Sequence, residues 1–314
     1  MDAADRKLFG DSLRQAVAGS DHADAALAAL DWRAALADDP AGATRVVFAI
    51  LGELNLASSA IDDVLTYALG LEPSEDRAVV LPSLGGHLPP ATYERAEVTV
   101  DGLATTRITV ANQAIVTIDG GKQMFLSRLS PEALDVTAID GIDPAAGWRR
   151  IHGTAKVSDL KAIDWDRALT AGQLALAQQL TSAARAMLGL ATEHAKSRSQ
   201  FDRSIGSFQA VRHKLAESLV AIEGADAALD AGWANPSPFA AMIAKSIAGS
   251  AAKTVAKHAQ QVLAGMGFTS EHPFPGYLKR TMVLDQLLGS SASLRAEIGR
   301  SVVESGEIPK LLPL

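Results

Sequence analysis

The sequence predicts a mainly α-helical chain with a small central β unit, and three observations carry that expectation. Apolar residues recur at helical spacing over about the first 75 residues, and again in much longer runs from Asp164 onward. Between these runs lies a stretch of β-branched residues broken by Gly, Pro and Asp, the texture of short antiparallel strands. The chain has 314 residues, 48% of them apolar and 21% charged, enough to bury a sizeable core in two or three packed units. The expected division is a helical unit over residues 1–77, a reduced antiparallel β unit over 78–160 and a four-helix bundle over 161–314.

In the first unit Phe9, Leu13 and Val17 share one helix face, as do Leu51, Leu54 and Ile61–Val64 further on. Asp39-Pro40 and Gly70 read as breaks, and the abundant Ala suits closely packed helices. In the second, Glu97–Val100 runs into Asp101-Gly102, which reads as a hairpin turn, with Thr106–Val110 as the next strand. Ala114–Ile118 precedes another turn at Asp119-Gly120-Gly121, and Val136, Ile139, Trp148 and Ile151 mark further short strands. In the third, Asp164 caps a helix reaching roughly to Arg198. Ser207 opens a second helix with Phe208, Val211, Leu215, Leu219 and Ile222 along one face. Ser237-Pro238 starts a third that runs to Gly265, and a fourth extends from near Leu278 to about Val303, interrupted at Gly289-Ser290. Four such segments with short connections predict an antiparallel bundle.

Several chemistries are disfavoured at once. A net charge of −7 with no basic stripe argues against a nucleic-acid partner. With no Cys there is no disulfide framework, thiolate nucleophile or thiolate metal site. The segment Met1–Arg6 lacks a basic start followed by an apolar core, and no uncharged apolar run approaches the ~20 residues that span a bilayer, so a soluble, cytoplasmic protein is expected. The seven histidines form no metalloprotease pair, and Gly-x-Ser-x-Gly and Walker loops are missing. Gly265-x-Gly267 lacks the preceding strand of a dinucleotide fingerprint.

Three motifs remain: Arg198-Ser199-Gln200-Phe201, then Gln261–Phe268, then Leu287-Leu288-Gly289-Ser290-Ser291. An Arg at a helix end complements the helix dipole, but its planar fork also matches the oxygens of a diphosphate, and Gln200 adds a donor two residues on. Gly265 and Gly267 serve equally as a C-cap or as a place of close backbone approach, with Gln261 beside them.

In order and spacing these motifs resemble the acyl-CoA dehydrogenases, flavoenzymes that oxidise the Cα–Cβ bond of acyl thioesters. The resemblance is specific from about Ala162 to Val303 and loose before that. It implies FAD as cofactor, with Arg198, Gln200 and Phe201 near the diphosphate across a subunit boundary, Gln261 and Gly265 near the adenine or ribose end, and Ser290 also on the dinucleotide. The departures matter as much. Leu288 stands where many members carry the catalytic Glu, and Gly172 occupies the alternative base position on the first long helix. Neither side chain can accept a proton. Asp202 replaces a usual Gly, setting a carboxylate beside the expected diphosphate, and Ala264 replaces the first Gly of a pair. The Thr-Glu-Pro-x-x-Gly-Ser and Trp-Ile-Thr strands that hold the flavin ring in full-size members do not occur between Ala78 and Lys156, and Trp148 reads as core.

The pattern looks most like the short, base-lacking subunits of actinobacterial heteromeric acyl-CoA dehydrogenases, α2β2 assemblies of which several act on steroid side-chain CoA thioesters. The expectation is therefore a subunit inactive alone, sharing FAD with a partner that supplies the Glu base and most of the acyl-CoA site. Two other readings stand beside it. One is a helical scaffold that never touches FAD. The other is a self-sufficient, homo-oligomeric flavin oxidoreductase with a relocated carboxylate such as Asp285, although Asp285 and Glu193 are both expected on solvated helix faces.

Overall fold

A computed structural model describes residues 1–157 and 159–306. Five helices come first: α1 (Ala3–Ala16), α2 (Asp24–Ala29), α3 (Trp32–Asp38), α4 (Pro40–Glu53) and α5 (Ala60–Ala68). Asp2 forms a capping box with Asp5 at the start of α1, and Asp39-Pro40 supplies the cap and first residue of α4. The strands follow: β1 (Arg77–Pro82), β2 (Ala91–Glu94), β3 (Glu97–Ala104), β4 (Gln113–Asp119), β5 (Met124–Leu129), β6 (Asp135–Ala138), β7 (Arg149–Lys156) and β8 (Lys161–Ile163). They form one sheet in the order β6-β7-β3-β1-β4-β5-β8, with β2 pairing to β3 and β4. Side chains alternate across it: Val79 and Leu81 of β1 enter the main helical core, while Ala78 and Val80 enter a smaller core on the other face.

Two details of the sheet differ from the sequence expectation. Asp101-Gly102 is not a turn, because β3 runs through it in register with β7; the β2–β3 hairpin turns at Arg95-Ala96, both at positive φ (53° and 66°). Thr106–Thr109 is a 3-10 helix rather than a strand. Thr105 caps it, and Arg107 is drawn inward, donating to Asp63 at 2.7 and 3.0 Å. Asp62, next to it on α5, accepts from Val79 N of β1 and from Thr105 Oγ1. With Arg107 committed to Asp63, burial dominates at Asp62 and pushes its carboxyl up to about 6. This polar cluster ties α5 to the sheet.

The second helical part holds α6 (Trp165–Ser197), α7 (Gln209–Ala234), α8 (Pro238–Leu263), α9 (Phe274–Gln286) and α10 (Ser291–Ser305). Asp164 caps α6 by accepting from Arg167 N, and Ser237 caps α8 from Ala240 N. The expected fourth helix is two, separated by Leu287–Ser290. Helix α7 is more peripheral than its apolar pattern suggested: Ser218, Ile222, Ala225 and Leu229 face inward, whereas Leu219 is 44% exposed. Between α6 and α7 a small hairpin pairs β9 (Ser199–Gln200) with β10 (Arg203–Ser204). Among the described residues, no helix is long and apolar enough to cross a membrane.

Candidate functional site

Leu288 lies in the α9–α10 connection with φ at 53°, a conformation rare for a branched residue, and its side chain is fully buried. It packs over Gly172 of α6. A Cβ on Gly172 would stand 2.4 Å from Leu288 Cδ1 and 2.9 Å from Leu65 Cδ2. The two positions singled out for a missing base are thus one apolar contact.

The connection is held from three sides. Gln173 of α6 donates its amide to Leu288 O at 2.9 Å. From α8, Lys245 donates to Asp285 O at 3.0 Å and Gly289 O at 3.3 Å, satisfying carbonyls at the end of α9. From the sheet side, Gly85 N donates to Gln286 O at 2.8 Å, and Ser293 Oγ donates back to Gly85 O at 3.1 Å. Lys245 is wholly buried, which lowers its ammonium to about 8. Neither Lys245 nor Gln173 was singled out from sequence. The signal was there for Lys245, a lone charge in a stripe of Ala241, Ala244, Ala248 and Ala252 on α8.

Asp285 also departs from expectation. It is 1% exposed rather than solvated, because it faces α8, where Lys253 Nζ lies 2.6 Å from Oδ2 and Ser291 N donates to Oδ1 at 3.2 Å. An ammonium and the N-terminal turn of α10 together compensate its burial. Glu193 is solvated as expected, its side chain 73% exposed and paired with Lys196. A void of ≈ 30 Å³ lined by Ile61, Leu176, Leu284 and Leu287 lies in this interior. Trp148 also borders it and packs on the main core.

The other end of the helical part is open. Phe201 and Asp202 take φ of 54° and 61°, closing the β9–β10 hairpin with a two-residue left-handed turn. That geometry explains why Gly suits the position of Asp202, and why Asp is among the few residues that tolerate it. Phe201 is 86% exposed and meets Phe208 edge-on at 6.3 Å, while the Arg203 guanidinium sits 4.2 Å above the Phe208 ring. Arg203 is engaged there, and it makes no ion pair with Asp202 among the described residues.

Arg198, Gln200, Gln261 and Gly265 are all exposed. Among the described residues the side chains of Arg198, Gln200 and Gln261 make no hydrogen bond or ion pair. His194, one turn before Arg198, is held below its ordinary pKa by partial burial and then by the nearby Arg198 and His272, which precedes α9. The end of α6 and the start of α9 are therefore neighbours. Ser290 lies elsewhere: it caps α10, accepting from Ser293 N, beside α8 at Ser246 and Lys253. Lys253 precedes Gln261 by eight residues, about 12 Å along the helix.

Residues 165–303 match the family described as acyl-CoA dehydrogenase, C-terminal domain. The acyl-CoA dehydrogenase IpdE2 of Mycobacterium tuberculosis is 38% identical over 136 residues, covering 43% of this chain and 42% of the relative. IpdE2 of Mycolicibacterium smegmatis is 38% identical over 120 residues, 38% of each chain, so the match spans about two fifths of these relatives' length. In fold the likeness covers everything: a chain of the ChsE4–ChsE5 complex from M. tuberculosis superposes with a TM-score of 0.77 at 20% identity, over 99% of both chains. A variant of the Tcur3481–Tcur3483 steroid ACAD gives 0.70 at 20% identity, over 96% of this chain and 88% of that one. The whole chain thus has the acyl-CoA dehydrogenase fold, mostly helical with a small sheet.

Acyl-CoA dehydrogenases are FAD-dependent flavoproteins, and this chain's residues suit only part of that cofactor. Arg198 and Gln200 offer uncommitted donors that could hold a diphosphate presented from outside. The interior beside Leu288 does not suit a ring: Gly85 bonds straight to Gln286, and the side chain that would accept a proton is an alkyl group.

Proposed function

We propose that this chain is the non-base-bearing subunit of a heteromeric FAD-dependent acyl-CoA dehydrogenase. The observation that carries the reading is the Leu288–Gly172 contact, which leaves both base positions without a proton acceptor. The partner supplies the Glu base and the pocket for the flavin ring and thioester. This chain contributes Arg198, Gln200 and Phe201 to the FAD diphosphate, and Gln261 and Gly265 to the adenine or ribose end. Ser290, buried against α8, takes the smaller part of steadying α10. FAD supplies the hydride acceptor of an α,β-dehydrogenation, while the chain's own residues bind and orient the dinucleotide. An α2β2 assembly in the cytoplasm and a steroid side-chain CoA substrate complete the proposal. A two-chain assembly agrees with the ChsE4–ChsE5 complex, and a steroid substrate with the Tcur3481–Tcur3483 steroid ACAD, which share the fold.

Co-expression with a full-length acyl-CoA dehydrogenase chain, followed by native mass and flavin stoichiometry, tests it. The expected result is a heterotetramer with one FAD per pair of unlike chains, and Arg198→Ala should keep the mass while lowering flavin affinity at least tenfold. Flavin retained at full affinity in that variant would make the chain a scaffold. A flavin-saturated, active homo-oligomer would overturn the reading altogether.

A further inference from the structure

Where the last turn of α6 meets the segment entering α9, His194 has two further donors close enough to act on it electrostatically, Arg198 and His272. His194 and Arg198 are four residues apart, the spacing that brings two side chains together across one turn of helix. The His272 ring is oriented by its own chain. Its Nδ1 accepts from Phe274 N at 3.2 Å, so Nε2 carries the hydrogen and donates. Both imidazoles are partly exposed, and the His194 ring makes no hydrogen bond or ion pair among the described residues.

Several charged groups around them are already engaged. Lys196 pairs with Glu193 at 2.7 Å, Arg203 lies over the Phe208 ring, Arg212 donates to Gly206 O at 2.9 Å, and His258 of α8 bonds Lys214 O at 3.1 Å. His213 and Lys214 of α7 and Lys257 of α8 do not act on His194. Neither Asp202 at the hairpin tip nor Glu271 beside His272 makes an ion pair with it among the described residues. A set of donors without an acceptor calls for an anion. The end of α6 also presents its last carbonyls and the negative pole of the helix dipole, which repel an anion unless cations outweigh them. Arg198 alone would leave a diphosphate only half neutralised. In the free chain, partial burial and then Arg198 and His272 hold His194 below the ordinary imidazole range, so at neutral pH the ring has a proton still to gain.

We infer that His194 and His272 join Arg198 in binding the FAD diphosphate, an extension that rests on the shared-FAD reading above, and that His194 takes a proton from solvent as the anion docks. The arriving negative charge favours the imidazolium, so the bound state holds the extra proton and affinity rises as pH falls. Loading of the shared cofactor is thereby proton-dependent.

Calorimetric titration of FAD into the flavin-stripped complex with a full-length acyl-CoA dehydrogenase chain tests this. Run at pH 7 in two buffers of different ionisation enthalpy, it counts the protons taken up. Uptake of a fraction of a proton is expected in the wild type, and almost none in His194→Gln. From about pH 8 to about pH 5.5 the wild-type affinity should tighten about tenfold, and that of His194→Gln less than about threefold. His272→Gln, which keeps an N–H donor, should keep the wild-type slope. Arg198→Ala separates this inference from the reading beneath it. Unchanged flavin affinity in Arg198→Ala would sink the shared site, and this inference with it. Weakened binding in Arg198→Ala, with no proton uptake by the wild type or with wild type and His194→Gln alike at every pH, would overturn the role of His194 alone. Wild-type uptake decides the matter even where His194→Gln does not assemble.

Discussion

The interior around Leu288 and the open end around Arg198 belong to one helical unit yet are built on opposite rules. In the interior the backbone carbonyls of the α9–α10 connection and the Asp285 carboxylate take partners from this chain: Lys245 for two carbonyls, Gln173 for a third, Lys253 and Ser291 N for Asp285. At the open end Arg198, Gln200 and Gln261 have none among the described residues, and a phenyl ring stands almost fully in solvent. The contrast separates what folds this protein from what it offers.

The sharpest way to break the contrast is to put a base back inside. Gly172→Glu should destabilise the chain by about 4 kcal/mol or more, because its Cβ already collides with Leu288 and Leu65 and its carboxylate finds no partner. Denaturant unfolding measures this, and near-wild-type stability would mean the interior is looser than described. Next in size is the pH response of Lys245, facing Asp285 and Lys253. Its folded pKa of about 8 lies below the unfolded 10.5, so the unfolded chain holds the extra proton between those values. Stability should therefore rise as pH increases from about 8 to 10.5, by about 3 kcal/mol, and this contribution should be flat below about 8. Lys245→Met should lack that slope in parallel melts, whatever its absolute stability.

At the open end the effects on stability should be small. Arg198→Ala should change unfolding free energy by less than about 0.5 kcal/mol, since the side chain has no partner to lose. Asp202→Gly should raise it by about 0.5 kcal/mol, because φ of 61° suits Gly better than Asp. A loss there would show that the Asp202 carboxylate has a role in holding the hairpin.

Local signals were the legible ones. Asp164, Asp39-Pro40 and Ser237-Pro238 announce helix starts because a cap is a contact within one turn of chain. The motifs at Arg198, Gln261 and Leu288 were equally visible, since each is a short continuous segment. What stayed hidden was set by distant partners. Thr106–Val110 alternates like a strand, but the pull of Asp63 on Arg107 coils it. Asp101-Gly102 reads as a turn, yet pairing with β7 keeps it extended. Asp285 looks like a surface carboxylate until Lys253, on another helix, is brought against it.

The clamp on the α9–α10 connection has a consequence for substitution at 288. Sheet, α6 and α8 each grip it through Gly85, Gln173 and Lys245, and Leu288 fills what space remains. A Glu placed at 288 would deliver a carboxylate into the packed contact with Gly172, where its surroundings are alkyl groups. A base at this position would therefore need more than one substitution: the packing on Gly172 and the Gly85–Gln286 bridge would have to change with Leu288.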